Sequence, residues 1–229
     1  MPSLLKKPKF DTMADVLRKL GVPAHRVLLD PRPGTATVKD VIRLVEGDQK
    51  RLVELVNGTL VEKAMGNPAS FLALELAYIL KLFNHQCGDV AMILGSDGMF
   101  RLMPKLVRLP DVSLTNWDRL PGRVVPKEAV ADFAPDFAVE AISKGNTTKE
   151  MTRKLNEYFT AGIRVVWFIY PVKRIVRVFS SPTAFRDFAE GDTLDGGDFL
   201  PGFELPVSRL FEKLGPAEKP KKKRKKKKK

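Results

Sequence analysis

Apolar positions along this chain change their period several times, and each change marks an element. In NPASFLALELAYILKLFNHQ (67–86), Leu72, Leu76, Ile79, Leu80 and Phe83 recur at steps of one, three or four residues, which places them on one helix face. Pro68 suits a first turn, so the stretch predicts a core helix of about four turns. Just before it, RLVELVNGTLVEKAM (51–65) has two short apolar-rich runs around Asn57-Gly58. That dipeptide suits a two-residue type I′ turn and predicts a β-hairpin. Strand-like runs follow at VAMILGS (90–96), GMFRLM (98–103), LVRLPDVSLT (106–115) and DFAVEAIS (136–143). NTTKEMTRKLNEYFTAG (146–162) returns to a helical pattern, with Asn146 or Thr147 as cap, Glu150 behind it and Gly162 as stop. VVWFIY (165–170) is a continuous apolar strand ended by Pro171, and RIVRVFS (174–180) alternates as a half-exposed strand does. FRDFAEGDTL and LPGFELPVSRLF add more β structure and a short terminal turn.

Residues 1 to 50 look peripheral. DTMADVLRKLGV (11–22) predicts a short helix capped by Asp11 or Thr12, with Val16 and Leu20 on one face. DPRPGTAT (30–37) reads as a loop, and TVKDVIRLVEGD (37–48) as a second helix capped by Thr37. The order predicts an α/β fold: a central mixed β-sheet flanked by helices and preceded by a hairpin. Three parts are expected: an N-terminal helical extension (1–44), a main domain (45–214) and a disordered lysine-rich tail (215–229).

Composition changes this picture in one respect. The chain of 229 residues carries a net charge of +13, but the run from Lys219 to Lys229 holds 10 of its 40 Lys and Arg and no acid. The other 218 residues carry 30 basic and 27 acidic groups, so the body is close to balanced. The basic character belongs to the tail. Its Lys221, Lys222, Lys223, Arg224 and Lys225 resemble a nuclear-localisation string, and such runs also tether proteins to nucleic acid without sequence preference. One cysteine, Cys87, excludes an internal disulfide framework and a multi-cysteine zinc site. No apolar run suits a membrane span or an export signal, so a cytoplasmic location is expected, with association with the nucleoid left open.

The candidate chemistry lies in charged residues inside apolar runs. Glu140 interrupts FAVEAI, where an unpaired charge costs several kcal/mol unless it is neutralised or holds a cation. Asp111 sits in LVRLPDVSLT, and Lys154 on the helix after the Glu140 strand. Two carboxylates brought together repel, and a hard divalent cation relieves that repulsion. Asp, Glu and Lys together suffice for metal-assisted phosphodiester hydrolysis. The bland reading is equally concrete: Glu140 pairs with Lys154 as a structural ion pair, and Asp111 follows Pro110 in an ordinary turn. Asp136 forms a second Pro-Asp pair, but four strand residues place it roughly 13 Å from Glu140, too far to share an ion. Tyr158 and Trp167 read as core aromatics, and His85 as a complement to a helix dipole.

Taken in order, LVELVNGTLVEK, LVRLPDVSL, APDFAVEAIS and RKLNEYFTAGIRVVWFIYP resemble the Uma family of restriction endonucleases, a branch of the PD-(D/E)XK nuclease superfamily, over about residues 45 to 212. The resemblance implies a restriction-endonuclease-like core and a metal-dependent endonuclease acting on DNA. It implies Mg²⁺ or Mn²⁺ held by Asp111 and Glu140, with Glu54 completing the site, and Lys154 assisting the attacking water. The superfamily lysine two residues after the acid is Ile142 here; the K-L-x-x-Y segment Lys154 to Tyr158 takes its place. A histidine common at the start of the long helix is missing, and SKGN stands where Ser-Pro-Ser is usual. A decayed nuclease that binds nucleic acid through its tail is the alternative function. DNA is the expected partner, with no membrane, and a homodimer stays open.

Overall fold

A computed structural model describes residues 12–48 and 50–215. In chain order the elements are α1 (Met13–Leu20), α2 (Val38–Glu46), β1 (Val53–Val56), β2 (Thr59–Glu62), α3 (Asn67–Gln86), β3 (Ala91–Leu94), β4 (Phe100–Met103), β5 (Leu106–Arg108), β6 (Val112–Asn116), β7 (Phe137–Ala141), α4 (Thr148–Thr160), β8 (Val165–Tyr170), β9 (Ile175–Phe179), β10 (Phe185–Ala189), β11 (Thr193–Asp195), β12 (Glu204–Pro206) and α5 (Val207–Phe211).

The central sheet has six strands in the order β10-β9-β8-β7-β6-β3. Only β7 and β8 run parallel, so the sheet is mixed. Helix α4 is the crossover that a parallel pair requires. Strand β7 is buried on both faces because it is central. Its Phe137, Val139 and Ala141 pack on the side that α3 and α5 cover, and Ala138 packs with Met151, Leu155 and Tyr158 of α4. By the two-residue period, Glu140 shares the α4 side with Ala138.

The run 106–115, expected as one strand, is two strands in different sheets. β5 joins the hairpin in a four-stranded sheet, order β2-β1-β5-β4, while β6 joins the central sheet. The break falls at Leu109-Pro110-Asp111, where proline has no N–H to continue a ladder. Hydrophobicity alone hid this, since Leu109 is as buried as the strand residues around it.

The N-terminal helices are packed against the hairpin sheet. Val41 of α2 shares a cluster with Val53, Leu55 and Leu60, and Val16 and Leu20 of α1 share one with Val56 and Val61. Thr12 and Thr37 cap these helices, each with a returning aspartate three residues on. Asn57 and Gly58 have φ of 51° and 75°, both in the left-handed region that a type I′ turn demands. A Cβ at Gly58 would lie 2.5 Å from the carbonyl oxygen of Gly34. Replacing Gly58 by Ala should therefore lower stability by about 1–3 kcal/mol. Urea denaturation monitored by circular dichroism measures this, and Asn57→Gly should leave the midpoint nearly unchanged.

Candidate active site

Register brings the charged residues together. Leu55 pairs with Val107 across β1 and β5, so Glu54 lies beside Arg108 on the same face. Arg108 Nη1 donates to Glu54 Oε2 at 2.6 Å, and its Nε donates to Glu157 Oε2 of α4 at 2.9 Å. In the central sheet Val112 pairs with Val139, and the Asp111 N–H donates to the Val139 carbonyl. Continuing that register sets Asp111 across from Glu140. Asp111 Oδ2 accepts the N–H of Ala141 at 2.7 Å, next to the Glu140 side chain.

Helix α4 joins the two sheets. Lys154 Nζ donates to Glu140 Oε1 at 2.8 Å and lies 3.0 Å from Glu54 Oε1. One turn on, the Tyr158 hydroxyl donates to the same Glu140 oxygen. Lys154, Glu140, Glu54, Arg108 and Tyr158 are all buried. Asp111 is the partly open member, with 14% of its side chain exposed, and its Oδ1 is held by Lys63 Nζ at 2.8 Å. Lys63 follows β2 and also donates to the Ser96 carbonyl at 2.8 Å.

Burial and neighbours pull the ionisable groups apart. Burial raises the Glu140 carboxyl, Asp111 and Glu54 raise it further, and Lys154 and Lys63 only partly offset them. Burial also pushes Glu54 up, but Lys154 and Arg108 outweigh it and hold this carboxyl well below the usual range. For Lys154, burial favours loss of the proton, yet Glu140 and Glu54 reverse this and raise it, so it is an ammonium at neutral pH. The Tyr158 hydroxyl is raised by burial and by Glu140, so it stays protonated and donates.

The residues singled out from sequence thus fall into three settings. Asp111, Glu140, Lys154 and Glu54 converge at the junction of the two sheets. Asp136 lies at the opposite end of β7, bound to Arg119 at 2.8 Å and to the Asn116 N–H at 2.9 Å. Lys221, Lys222, Lys223, Arg224 and Lys225 lie outside the described residues. Tyr158 is both a core aromatic and a donor to the site, whereas Trp167 is buried in the core between sheet and helices. His85 and Cys87 are exposed at the end of α3.

Sequence reasoning missed Lys63, Arg108 and Glu157. The sequence held a usable signal for two of them. Glu54 pairs with Val61, and Lys63 is two residues beyond, on the same face. Arg108 is a charge inside an apolar run, as Glu140 is. Arg26 was also missed: its guanidinium makes a bidentate pair with Glu150 of α4 at 2.9 and 2.8 Å, fully inside the protein.

Among the described residues no three His, Cys, Asp or Glu side chains are grouped as they would be around a metal ion. The acids are closed by ammonium and guanidinium groups instead. The donor types at Asp111 and Glu140 do suit a hard cation: two carboxylates side by side on one face, the second raised in part by the first. Glu54 suits it less, since its oxygens face Arg108, Lys154 and the Leu109 N–H.

A mixed sheet with one parallel pair, a crossover helix and carboxylates meeting an ammonium at a sheet junction together make an α/β fold that is also found in a solved structure. One solved structure with this fold is titled as that of a "putative nuclease belonging to DUF820" from Anabaena variabilis; it aligns with a TM-score of 0.64 and 18% identity over 77% of this chain and 97% of its own. The chain belongs to the family described as "Uma2: Putative restriction endonuclease", which matches residues 39–208. No functionally curated protein matches it. Among the described residues no helix is long and apolar enough to cross a membrane.

The depressed Glu54 gives a stability test with a definite sign. Its contribution is complete above the ordinary glutamate pKa of about 4.3 and is lost as pH falls below it. Glu54→Gln leaves Arg108 and Lys154 short of a partner and should cost about 3–5 kcal/mol at pH 7. The difference from the parent chain should shrink as pH is lowered from 4.5, read from urea midpoints across pH.

Proposed function

We propose that this chain is a Mg²⁺- or Mn²⁺-dependent endonuclease that hydrolyses phosphodiester bonds in DNA. Family membership supports nuclease chemistry. The observation that carries the reading is the position of Lys154, held 2.8 Å from Glu140 while Asp111 stands across the ladder from that glutamate. Asp111 and Glu140 are the carboxylates that would hold the ion. Such an ion, when bound, supplies charge neutralisation at the phosphate and an activated water.

The chain's own groups then take definite parts. Lys154 keeps its proton, so it acts as a cation beside the phosphate rather than as a base. Glu54 fixes the direction of that ammonium, and Arg108 fixes Glu54. Tyr158 holds one Glu140 oxygen, leaving the carboxylate a defined orientation. Lys63 holds Asp111 Oδ1, the oxygen that a bound ion would have to share with it. The basic run at Lys221–Lys225 adds salt-sensitive affinity for the nucleic-acid backbone.

One observation favours a second reading, a decayed nuclease that only binds. Each of Glu54, Asp111 and Glu140 already has a cationic partner. Cleavage separates the two. Under the first reading, purified chain nicks or cuts plasmid DNA with Mg²⁺ or Mn²⁺ and not with EDTA. Asp111→Asn and Glu140→Gln should each reduce the rate at least 100-fold, and Lys154→Met by about 10²–10⁴. Glu140→Gln takes the nearest acid from buried Lys154 and should lower the melting temperature, so its cleavage is compared at a temperature where circular dichroism shows the variant folded. No cleavage with either ion, alongside DNA binding lost on removal of residues 216–229, would establish the second reading.

A further inference from the structure

An apolar pocket opens at the end of the central sheet where the parallel strands β7 and β8 finish. It has a volume of about 520 Å³, and its walls include Met65 and Ala69 around the start of α3, Ile142 after β7, and Tyr170, Pro171 and Val172 at the end of β8. That is the size of a small-ligand site, about 300–1,000 Å³. Met65 is 75% exposed and Val172 67%, so the apolar lining reaches the surface. The carboxyl ends of parallel strands are also where α/β sheets bind their ligands.

The pocket adjoins the carboxylates of the candidate active site. Ile142 follows Ala141, whose N–H donates to Asp111 Oδ2, and Met65 stands two residues beyond Lys63, which holds Asp111 Oδ1. One wall thus begins a single residue, about 3.8 Å of backbone, from the position that fixes Asp111. The rim is cationic. Lys144 and Lys173 line it and are exposed, and among the described residues neither is ion-paired to an acid. Arg174 is engaged by Glu190 and by the Phe211 and Gly215 carbonyls.

An apolar floor with unpaired cations at its edge suits an occupant with an apolar body and a negative charge outside it. A nucleotide has that form. Within a duplex each base is stacked on both faces and paired at its edge, so it cannot enter. An unpaired base can, at least cost where the strand is already single or mismatched. The chain's own tail does not suit the pocket. It leaves from Gly215, next to the lining residue Leu214, but the lysine-rich run beyond has the same sign as the rim.

We propose that this pocket receives one unpaired base of a DNA strand beside the phosphate to be cut, with Lys144 and Lys173 on neighbouring phosphates, so that single-stranded or locally unpaired DNA is the preferred substrate. The proposal rests on the nuclease reading for its partner and adds the state of the strand.

Fluorescence anisotropy of the full chain in EDTA measures it, with three labelled probes: a short single strand, the same strand made entirely of abasic sites, and the blunt duplex. The normal strand should bind about tenfold more tightly than the abasic one. Met65→Glu and Val172→Glu, both at exposed positions, should keep the circular dichroism melt. Each should bring the normal and abasic strands to within about twofold of one another, while duplex affinity, carried by the basic tail, changes less than about threefold. Normal and abasic strands that bind alike to the parent chain overturn the proposal, and so does a difference that survives both substitutions. Cleavage plays no part in EDTA. A chain that never nicks plasmid but passes this test loses the nuclease reading and keeps the pocket, and an active nuclease that fails it loses the pocket alone.

Discussion

The Lys154 ammonium, buried between Glu140 and Glu54, is the contact on which the arrangement turns. An ammonium out of water is tolerated only with close anionic partners. Here those partners come from two different sheets: Glu54 from the hairpin sheet and Glu140 from the central one. Helix α4 therefore does more than connect β7 to β8. It places one cation where two sheets each leave an acid facing inwards, and its Glu157 takes up Arg108 from the hairpin sheet in return. Loss of Glu54 or Glu140 leaves Lys154 with one acid in place of two, so the sheets, the helix and the site are tied energetically.

The position of α4 depends in turn on the N-terminal segment. Arg26 grips Glu150 in the first turn of α4 and also donates to the Gly145 carbonyl and, through Nε, to the Glu62 carbonyl. Lys149 and Arg153 of the same helix donate to carbonyls at the end of α1. Glu150 is the capping-box residue of α4 as well. The residues that look peripheral in sequence thus anchor the start of the helix that carries Lys154. In a fold built this way, the N-terminal segment belongs to the site's support, through Arg26 and the end of α1.

This explains what could be read from the sequence and what could not. Local signals were legible: α3 spans the very residues 67–86 whose periodicity predicts it, and Asn57-Gly58 makes the expected turn. Glu140 stood out because a charge in an apolar strand violates a local rule. The partition of 106–115 between two sheets was not legible, because both halves are buried and only Pro110 marks the change. The pairing of Lys63, Arg108 and Arg26 was hidden for a different reason. Their partners, Asp111, Glu54 and Glu150, are 48, 54 and 124 residues away. Strand pairing between β1 and β5 is what sets Arg108 beside Glu54, and no local pattern encodes it.

The charge balance of the cluster bears on how the proposed activity would be switched on. Glu54, Asp111, Glu140 and Glu157 are matched one for one by Lys63, Arg108, Arg153 and Lys154. As it stands the site is formally neutral and closed. A divalent ion arriving alone would leave two positive charges uncompensated in a largely buried setting, where charges are poorly screened. An ion arriving with a phosphodiester would leave only one. On the nuclease reading, metal and DNA should therefore bind cooperatively, each favouring the other's entry, and Lys63 is the group best placed to move, because it holds Asp111, the more exposed of the two carboxylates that would take the ion. A site with this balance would rest in a paired state and open only when its substrate brings the missing negative charge.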